Sequence, residues 1–308
     1  MILTVTCNPA VDKTYNTTGV IIGQVNRMRD LISLPGGKGI NVTKVLNQFG
    51  AQVTATGFLG GYTGEFIESA LNKMDVSTEF TKIRNMTRTN MNIIGDDGYV
   101  TEILEPGPHI AAFEKDQFLD KFKELVPQSQ CVVMSGSLTD GLPEDFYAKL
   151  ISICNDSEVK VFLDTSGEPL KKGIEQKPYC IKPNRRELEY IVGRKLSTEA
   201  EIIQAAYAYV KMGITKVIVS MGEKGLLEIT KKKVIKAVPP RVKAVNTVGS
   251  GDSVVAAMVL GLVQDLGEED TMQLAAGISA ANATTLESGM IPRDTMEELI
   301  KNVVIVTM

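Results

Sequence analysis

The chain has 308 residues, of which 44% are hydrophobic and 23% are charged, so it can bury a sizeable core in one large domain. A formal net charge of -4 gives no basic field to attract nucleic acid or an acidic membrane surface, and we expect neither partner. One histidine, His109, and four scattered cysteines disfavour histidine-based catalysis and a His- or Cys-rich metal site. No signal-peptide pattern and no long apolar run is present, which predicts a cytoplasmic protein.

Short β-rich runs alternate with longer helical stretches along the chain. The predicted strands include Ile2–Thr6, Val53–Gly57, Cys131–Met134, Val159–Asp164, Tyr179–Lys182 and Val217–Ser220. The predicted helices are Ile40–Phe49, Gly64–Lys73, Glu114–Leu125, Glu144–Cys154, Arg186–Val192, Thr198–Met212, Gly251–Gln264, Glu268–Leu286 and Asp294–Asn302. This order indicates an α/β fold with a mostly parallel sheet covered by helices on both faces.

Two segments, about residues 11–33 and 87–106, interrupt the alternation. They contain β-branched residues and glycine turns but no convincing helix, and Asp96-Asp97-Gly98 is a hairpin signal. We interpret them as insertions that form a small separate sheet, which could serve as a lid or as a subunit contact. The whole chain, 1–308, is then one domain with this appendage.

The stretch from Asn246 to Ser253 combines glycines with a carboxylate at the start of an apolar helix. Gly249 and Gly251 permit backbone angles that let several N–H groups point at one anion near the positive end of that helix. Asp252 would lie beside this anion hole and could accept a proton from a substrate hydroxyl. The alternative is a simple capping loop in which Asp252 caps the helix.

A second glycine-rich turn, Pro35–Val42, also opens a helix. Its glycines would let a ligand approach the backbone, Lys38 offers a cation, and Asn41 can donate and accept hydrogen bonds. It lacks the spacing of a Walker A loop. A tight strand-to-helix turn without a ligand is the alternative.

Two further stretches could contact a nucleotide. Asn184 and Glu187 stand three residues apart at a helix start, where they could hold a hydrated Mg²⁺ or could form a capping box. The turn Ser220–Gly225 follows a strand at the sheet edge where α/β proteins bind ligands, although a plain turn is equally consistent with it.

Two arginines, Arg27 and Arg88, fall in the predicted small sheet. An exposed surface arginine is the ordinary interpretation of each. The guanidinium fork also suits a phosphate group, because it can donate two parallel hydrogen bonds.

In this order, these stretches resemble the ribokinase-like (PfkB) carbohydrate kinases, and the resemblance runs from residue 1 essentially to the end. The glycine pair near the front, the Asn-x-x-Glu motif and the Gly-x-Gly-Asp motif are the signatures of that family. The segments that resemble its 1-phosphofructokinase and tagatose-6-phosphate kinase branch are Thr4–Asp12, Gly36–Val42, Thr101–Pro108 and Ser135–Ser137.

The resemblance implies a Rossmann-like domain with a β-sheet lid that clasps a second copy in a homodimer, and it implies ATP and Mg²⁺ as cofactors. It makes Asp252 the general base and Gly249, Ser250 and Gly251 the anion hole. It also implies that Asp12, Gly37, Lys38 and Asn41 hold the sugar, while Arg88, with Arg27 and Ser137, holds the phosphate already on the substrate. Asn184 and Glu187 would serve the ATP phosphates, with Glu187 holding Mg²⁺ through water. Ser220, Gly222 and Gly225 would form the nucleotide loop, with Asn282 near the adenine.

These expectations lead to an ATP-dependent kinase that phosphorylates fructose 1-phosphate at O6 to give fructose 1,6-bisphosphate. The first alternative is a tagatose-6-phosphate kinase that gives tagatose 1,6-bisphosphate. A non-catalytic sugar-phosphate sensor and a kinase of nucleosides or free sugars are the others, and the missing GxGxxG motif disfavours a dehydrogenase. The sequence departs from the common family motif at Asn246, where other members carry Asp, which leaves any role of that position in Mg²⁺ handling open.

Overall fold

The computed structural model describes residues 1–96 and 100–308, so Asp97 and Gly98 of the predicted hairpin turn lie outside the described residues. The strands are β1 Ile2–Thr6, β2 Ala10–Thr17, β3 Leu31–Gly36, β4 Val53–Gly60, β5 Ser77–Thr78, β6 Thr81–Ile83, β7 Arg88–Gly95, β8 Val100–Leu104, β9 Cys131–Ser135, β10 Lys160–Asp164, β11 Cys180–Ile181, β12 Lys216–Ser220, β13 Leu226–Ile229, β14 Val234–Val238 and β15 Val304–Thr307. The helices are α1 Lys38–Gln48, α2 Gly61–Asn72, α3 Ala112–Leu125, α4 Phe146–Asp156, α5 Gly167–Glu175, α6 Arg185–Val192, α7 Glu199–Lys211, α8 Ser250–Val263, α9 Glu268–Ala283 and α10 Arg293–Lys301.

The large sheet has the strand order β15-β14-β13-β12-β11-β10-β9-β1-β4-β5, with β6 also paired to β4. Pairing is parallel from β5 across to β12 and antiparallel from β12 to β15. The predicted mostly parallel sheet is confirmed. The sequence-based assignment did not include the short strands β5 and β6, the antiparallel extension β13–β15 or helix α5.

Alternate residues of the central strands enter two separate cores, as the two-residue period of a strand requires. Leu3 and Val5 of β1 pack with α3, α4, α5, α6 and α7 on one face. Ile2 of the same strand packs with α1, α8 and α9 on the other. The sheet is thus buried on both faces, which holds the ends of its strands in fixed positions.

A separate small sheet has the order β3-β2-β7-β8, and its central pair, β2 and β7, is parallel. It is built from the two predicted insertions, which confirms a second sheet. The first insertion is only partly β-structure, because residues 18–30 between β2 and β3 form an irregular and largely exposed loop. Among the described residues, no helix combines the length and apolar character that crossing a membrane would require.

Candidate active site

The parallel strands direct their carboxyl ends to one edge of the large sheet, and most of the predicted site residues lie there. Ser137 follows β9, Asn184 follows β11, and Ser220 ends β12. The chain leaves β1 at the same edge and passes directly into β2 of the small sheet. Both glycine-rich helix starts, α1 and α8, also open at this cleft, since Asn41 of α1 bonds to Asp252 of α8.

Asp252 lies in the first turn of α8 and is only 4% exposed. The helix starts after Gly249, whose φ of 84° is the left-handed conformation that glycine adopts without strain. We call residues Gly249–Asp252 the α8 turn. Its amides lie in the first turn of a helix, where N–H groups have no partner inside the helix and can bind an anion.

The side chain of Asp252 is oriented from α1. Asn41 Nδ2 donates to Asp252 Oδ2 at 2.9 Å. Burial and the negative charge of Asp164 raise the pKa of Asp252 to about 6, while Lys38 and the bond from Asn41 oppose that rise. A carboxylate with such a pKa is ionised at neutral pH and still basic enough to accept a proton.

Two charged residues that the sequence did not single out as site residues stand behind this carboxylate. Asp164, the last residue of β10, is fully buried, and its Oδ1 lies 3.4 Å from Lys38 Nζ and 3.3 Å from Lys182 Nζ. Lys182 Nζ is 3.3 Å from the place where a Cβ on Gly251 would stand, so it borders the α8 turn. Asp164 could have been found by its position at the carboxyl end of a predicted parallel strand.

The helix start that carries Lys38 depends on Gly37. That residue is the N-cap of α1 and has a φ of 101°. The charge of Asp164 outweighs burial and raises the pKa of Lys38 above its usual range, with Asp252 and Glu187 contributing. Lys38 therefore remains an ammonium group, near the predicted base Asp252 and near Glu187 of the predicted ATP-phosphate motif.

The small sheet contributes Asp12 and Arg88 to the same cleft. Asp12 Oδ1 accepts a hydrogen bond of 2.9 Å from Nδ2 of Asn90, its register partner on the parallel strand β7. Burial raises the pKa of Asp12. Arg88 donates to the carbonyl oxygens of Glu105 at 3.1 Å and Asn8 at 3.3 Å, which fixes its guanidinium at the base of the small sheet.

Several buried polar atoms on this side have no hydrogen-bond partner among the described residues. They are Asn8 Oδ1, Asn41 Oδ1, Arg88 Nε and Asn90 Oδ1. An unsatisfied buried donor or acceptor costs about 1–3 kcal/mol, so a ligand that satisfied several of them would bind favourably. Hydroxyl groups both donate and accept, and a polyhydroxylated ligand suits such a set.

Ser137 and Arg27 differ in how closely they approach this side. Ser137 Oγ accepts a bond of 3.3 Å from Asn8 Nδ2 and so belongs to the same cluster. Arg27 is exposed in the loop of residues 18–30 and makes no side-chain hydrogen bond to the described residues. Its predicted contact with a phosphate stays a prediction.

The Asn184–Glu187 pair forms the capping box that the sequence left open as an alternative. Asn184 Oδ1 accepts from the Glu187 amide at 3.0 Å, and Glu187 Oε2 accepts from the Asn184 amide at 2.8 Å. Asn184 also forms an isolated parallel β-bridge with Ser220. The capping box and the start of the Ser220–Gly225 turn are thus neighbours, and their predicted nucleotide role remains a prediction.

The turn after β12 requires glycine at two positions. Gly222 and Gly225 have φ values of 61° and 89°. A Cβ on Gly225 would stand 2.0 Å from the carbonyl oxygen of Ala237, so no larger residue fits there. The turn is therefore a tight and specific structure at the site edge.

Asn282 holds the residue before the α8 turn in place through hydrogen bonds. It is 1% exposed, its Nδ2 donates to Val248 O at 2.8 Å, and its Oδ1 accepts from the Gly289 amide at 2.8 Å. Its polar atoms are thus engaged within the protein, and the predicted proximity to adenine stays a prediction. Asn246 has a similar bracing position, since its Nδ2 donates to Leu286 O at 3.0 Å.

Comparison with known proteins identifies the family of the chain. Residues 5–294 match the pfkB family carbohydrate kinase. The chain is 36% identical over 309 residues to tagatose-6-phosphate kinase of Staphylococcus epidermidis, with 99% of each chain covered. It is also 36% identical over 304 residues to 1-phosphofructokinase of Bacillus subtilis, with 98% of each covered.

A solved structure shares the fold. Phosphofructokinase-2 from Escherichia coli in complex with potassium superposes with a TM-score of 0.91 at 28% identity, covering 97% of this chain and 98% of that chain. The matched residues span nearly the whole sequence and include every candidate site residue. The chain belongs to the pfkB family of carbohydrate kinases, which makes it a phosphotransferase with an alcohol acceptor.

Proposed function

We propose that this sugar-phosphate kinase transfers the γ-phosphate of ATP to O6 of fructose 1-phosphate. The observation that carries the proposal is the buried Asp252, whose Oδ2 accepts a 2.9 Å bond from Asn41 beside the α8 turn. In this proposal, the carboxylate is the proton acceptor, and it lies next to first-turn amides that have no partner within the helix, at a cleft that also contains Arg88. Phosphoryl transfer needs such positioning and charge stabilisation more than it needs covalent chemistry by the protein.

In this proposal, the substrate lies between Arg88 and Asp252. Arg88, with Ser137 and Arg27, binds the phosphate at C1, and Asp12, Lys38 and Asn41 bind the sugar hydroxyl groups. The O6 oxygen attacks the γ-phosphorus, and its proton passes to the carboxylate of Asp252. The bond between the γ-phosphorus and the bridging oxygen breaks, which releases ADP. The amides of the α8 turn stabilise the charge on the transferring group.

ATP is the phosphate donor of sugar kinases in this family, and we place its phosphates between the α8 turn and the Asn184–Glu187 capping box. Asp164 Oδ2 is buried without a hydrogen-bond partner among the described residues, and a carboxylate oxygen of this kind fits a cation. Asp164 and Glu187 would hold a hydrated Mg²⁺ there, and Mg²⁺ neutralises phosphate charge. Lys38 and Lys182 form ion pairs with Asp164 Oδ1 and so orient this carboxylate.

Tagatose 6-phosphate, phosphorylated at O1, is the second candidate substrate. The ring of a ketohexose carries a CH₂O group on both sides of the ring oxygen, so either end can meet Asp252 while the other end carries the phosphate. The relatives with the two activities are equally identical to this chain, which supports both sugars. The two sugars differ mainly at C4, where one hydrogen bond is worth about 1 kcal/mol.

A substrate panel tests the proposal. We expect ADP release with fructose 1-phosphate and tagatose 6-phosphate, and little with fructose 6-phosphate or ribose. A higher kcat/KM for tagatose 6-phosphate would move the assignment to the second sugar. Tight binding of a sugar phosphate without ADP release would instead favour a non-catalytic sensor.

We also propose that the small sheet acts as a lid and pairs with a second copy. All five residues of β8 are exposed, including the apolar Val100, Ile103 and Leu104. Ile22 and Val25 in the adjoining loop are 96% and 85% exposed. Exposed apolar residues in one region mark a surface that becomes covered. Sedimentation of the wild type and of Leu104→Glu tests this, with a dimer expected for the first and a monomer for the second.

A further inference from the structure

A buried lysine outside the proposed transfer step links the small sheet to the support of the α8 turn. Lys44 lies in α1, three residues after Asn41, and is 2% exposed. Its Nζ donates to Pro35 O at 3.1 Å and to Ser288 O at 2.5 Å. Asp12, Asp252 and Glu287 act on it through their charges.

The two carbonyl groups belong to segments that are far apart in sequence. Pro35 lies at the end of β3, where the chain leaves the small sheet for α1. Ser288 lies in the loop of residues 284–290 after α9, and the next residue, Gly289, packs directly on α1. A Cβ on Gly289 would stand 3.0 Å from both Asn41 O and Lys44 Cε.

The loop of residues 284–290 in turn supports the α8 turn. The Gly289 amide donates to Asn282 Oδ1 at 2.8 Å, and Asn282 Nδ2 donates to Val248 O at 2.8 Å. A continuous chain of hydrogen bonds therefore runs from Pro35 through Lys44 and the loop to the residue before Gly249. Lys44 is the link that joins the small sheet to this chain.

An ammonium group in this position is costly. Burial lowers the pKa of Lys44 to about 8, although Asp12 on β2, Asp252 on α8 and Glu287 in the loop all raise it. An apolar side chain of similar size often serves stability as well as a buried charge does. Stability alone therefore does not explain a lysine at this position. A requirement for a fixed cationic hydrogen-bond donor does explain it.

We propose that Lys44 is a positioning residue that ties the small sheet to the loop of residues 284–290 and so holds the sugar site and the α8 turn at a fixed separation. The inference rests on the proposed function for its kinetic consequence. The cationic form is the strong donor to the two carbonyls. Activity of the free enzyme should therefore fall as pH rises through about 8, where the pKa of Lys44 lies.

The kinetic test compares Lys44→Met and Lys44→Arg with the wild type, using kcat/KM for fructose 1-phosphate and tagatose 6-phosphate from pH 6.5 to 10. Misplacement of reacting groups by about 1 Å can cost about 100-fold in rate, and we expect a loss of this order in Lys44→Met. Lys44→Arg should recover most of the activity and lose the alkaline fall, because a guanidinium stays charged. Lys73→Met, at an exposed position after α2, should match the wild type.

Hydrogen exchange supplies a test that does not depend on activity. In Lys44→Met, amides in residues 31–37 and in residues 284–290 should both exchange faster, whereas Lys73→Met should change neither segment. Wild-type kinetics in Lys44→Met, or an alkaline fall retained in Lys44→Arg, would overturn the proposal. If Lys44→Met does not fold, the Lys44→Arg profile decides. If the wild type phosphorylates none of the sugars, the proposed function fails. Hydrogen exchange alone then tests whether Lys44 links the small sheet to the loop of residues 284–290.

Discussion

The two ends of the cleft are built on different principles. At the proposed transfer end, which comprises Asp252, Asn41 and the α8 turn, most buried polar groups are hydrogen-bonded within the large domain, and only Asn41 Oδ1 is buried without a partner among the described residues. At the proposed sugar end, which comprises Asp12, Arg88 and Asn90, the groups lie on the small sheet, and both Arg88 Nε and Asn90 Oδ1 are buried without partners among the described residues.

The difference matches the proposed role of each end, which is charge stabilisation at the first and sugar recognition at the second. Charge stabilisation in a transition state requires donors that are already in place, because reorganisation during the reaction costs energy. Recognition of a sugar requires atoms whose hydrogen-bonding capacity the ligand completes. We therefore expect damage at the transfer end to appear in kcat and damage at the sugar end to appear in KM.

Gly249→Ala should give the largest effect on kcat relative to its effect on KM. The φ of 84° disfavours alanine, and a Cβ there would stand 3.0 Å from Ser288 Cβ, so the α8 turn or Ser288 must shift. We expect kcat to fall about 100-fold, as when one oxyanion donor is lost. The matched control is Gly193→Ala, which has a φ of 72° and no atom within 4 Å of the new Cβ. It should lose about 1 kcal/mol of unfolding free energy but keep its kcat. Equal kcat values for the two variants would show that the α8 turn does not stabilise the transferring phosphoryl group.

Arg88→Ala tests the proposed sugar end of the cleft. Loss of a charged hydrogen-bonding group costs about 1.5–3 kcal/mol, which corresponds to a KM for the sugar phosphate that is higher by roughly 10–100-fold. The kcat should change much less. Free fructose serves as the substrate control, because it lacks the phosphate and its weak turnover should not respond to the substitution. An unchanged KM for sugar phosphates would indicate that Arg88 does not bind the phosphate.

Asn90→Ala should have a smaller effect at the same end. The substitution removes the 2.9 Å bond that orients Asp12, worth about 1 kcal/mol, so we expect KM to rise about fivefold. Asn92→Ala, two residues further along β7 and also buried, is the matched control. A larger effect from the control would show that the orientation of Asp12 matters less than the packing of the small sheet.

Local sequence patterns specify more of the proposed transfer end than of the proposed sugar end. The glycines, Asp252 and Asn41 stand at helix starts, where local chemistry specifies the geometry. The pairing of Asp12 with Asn90 depends on the parallel register of β2 and β7, which no local pattern encodes. The contact of Asn282 with Val248 and that of Lys44 with Ser288 likewise join residues that are distant in sequence.

The fold shows the same division. The central parallel strands β1, β4 and β9–β12 are largely buried, and the sequence predicted them within a few residues, whereas the short parallel strands β5 and β6 were not assigned. The antiparallel strands β13–β15 were not assigned, because they are short and the last of them lies at the edge of the sheet with mostly exposed residues. Residues 18–30 have β-branched composition but form a loop, since composition alone does not supply a pairing partner.

In the proposed reaction, Asp252 accepts the proton of the attacking hydroxyl. Single-turnover transfer of the γ-phosphate to fructose 1-phosphate, measured in the wild type and in Asp252→Asn together with ATP affinity, tests it most directly. The amide keeps the size of the side chain but removes its basicity, so we predict a transfer rate that is lower by at least about 100-fold with ATP binding unchanged. Transfer at a near wild-type rate in Asp252→Asn would show that Asp252 is not the proton acceptor.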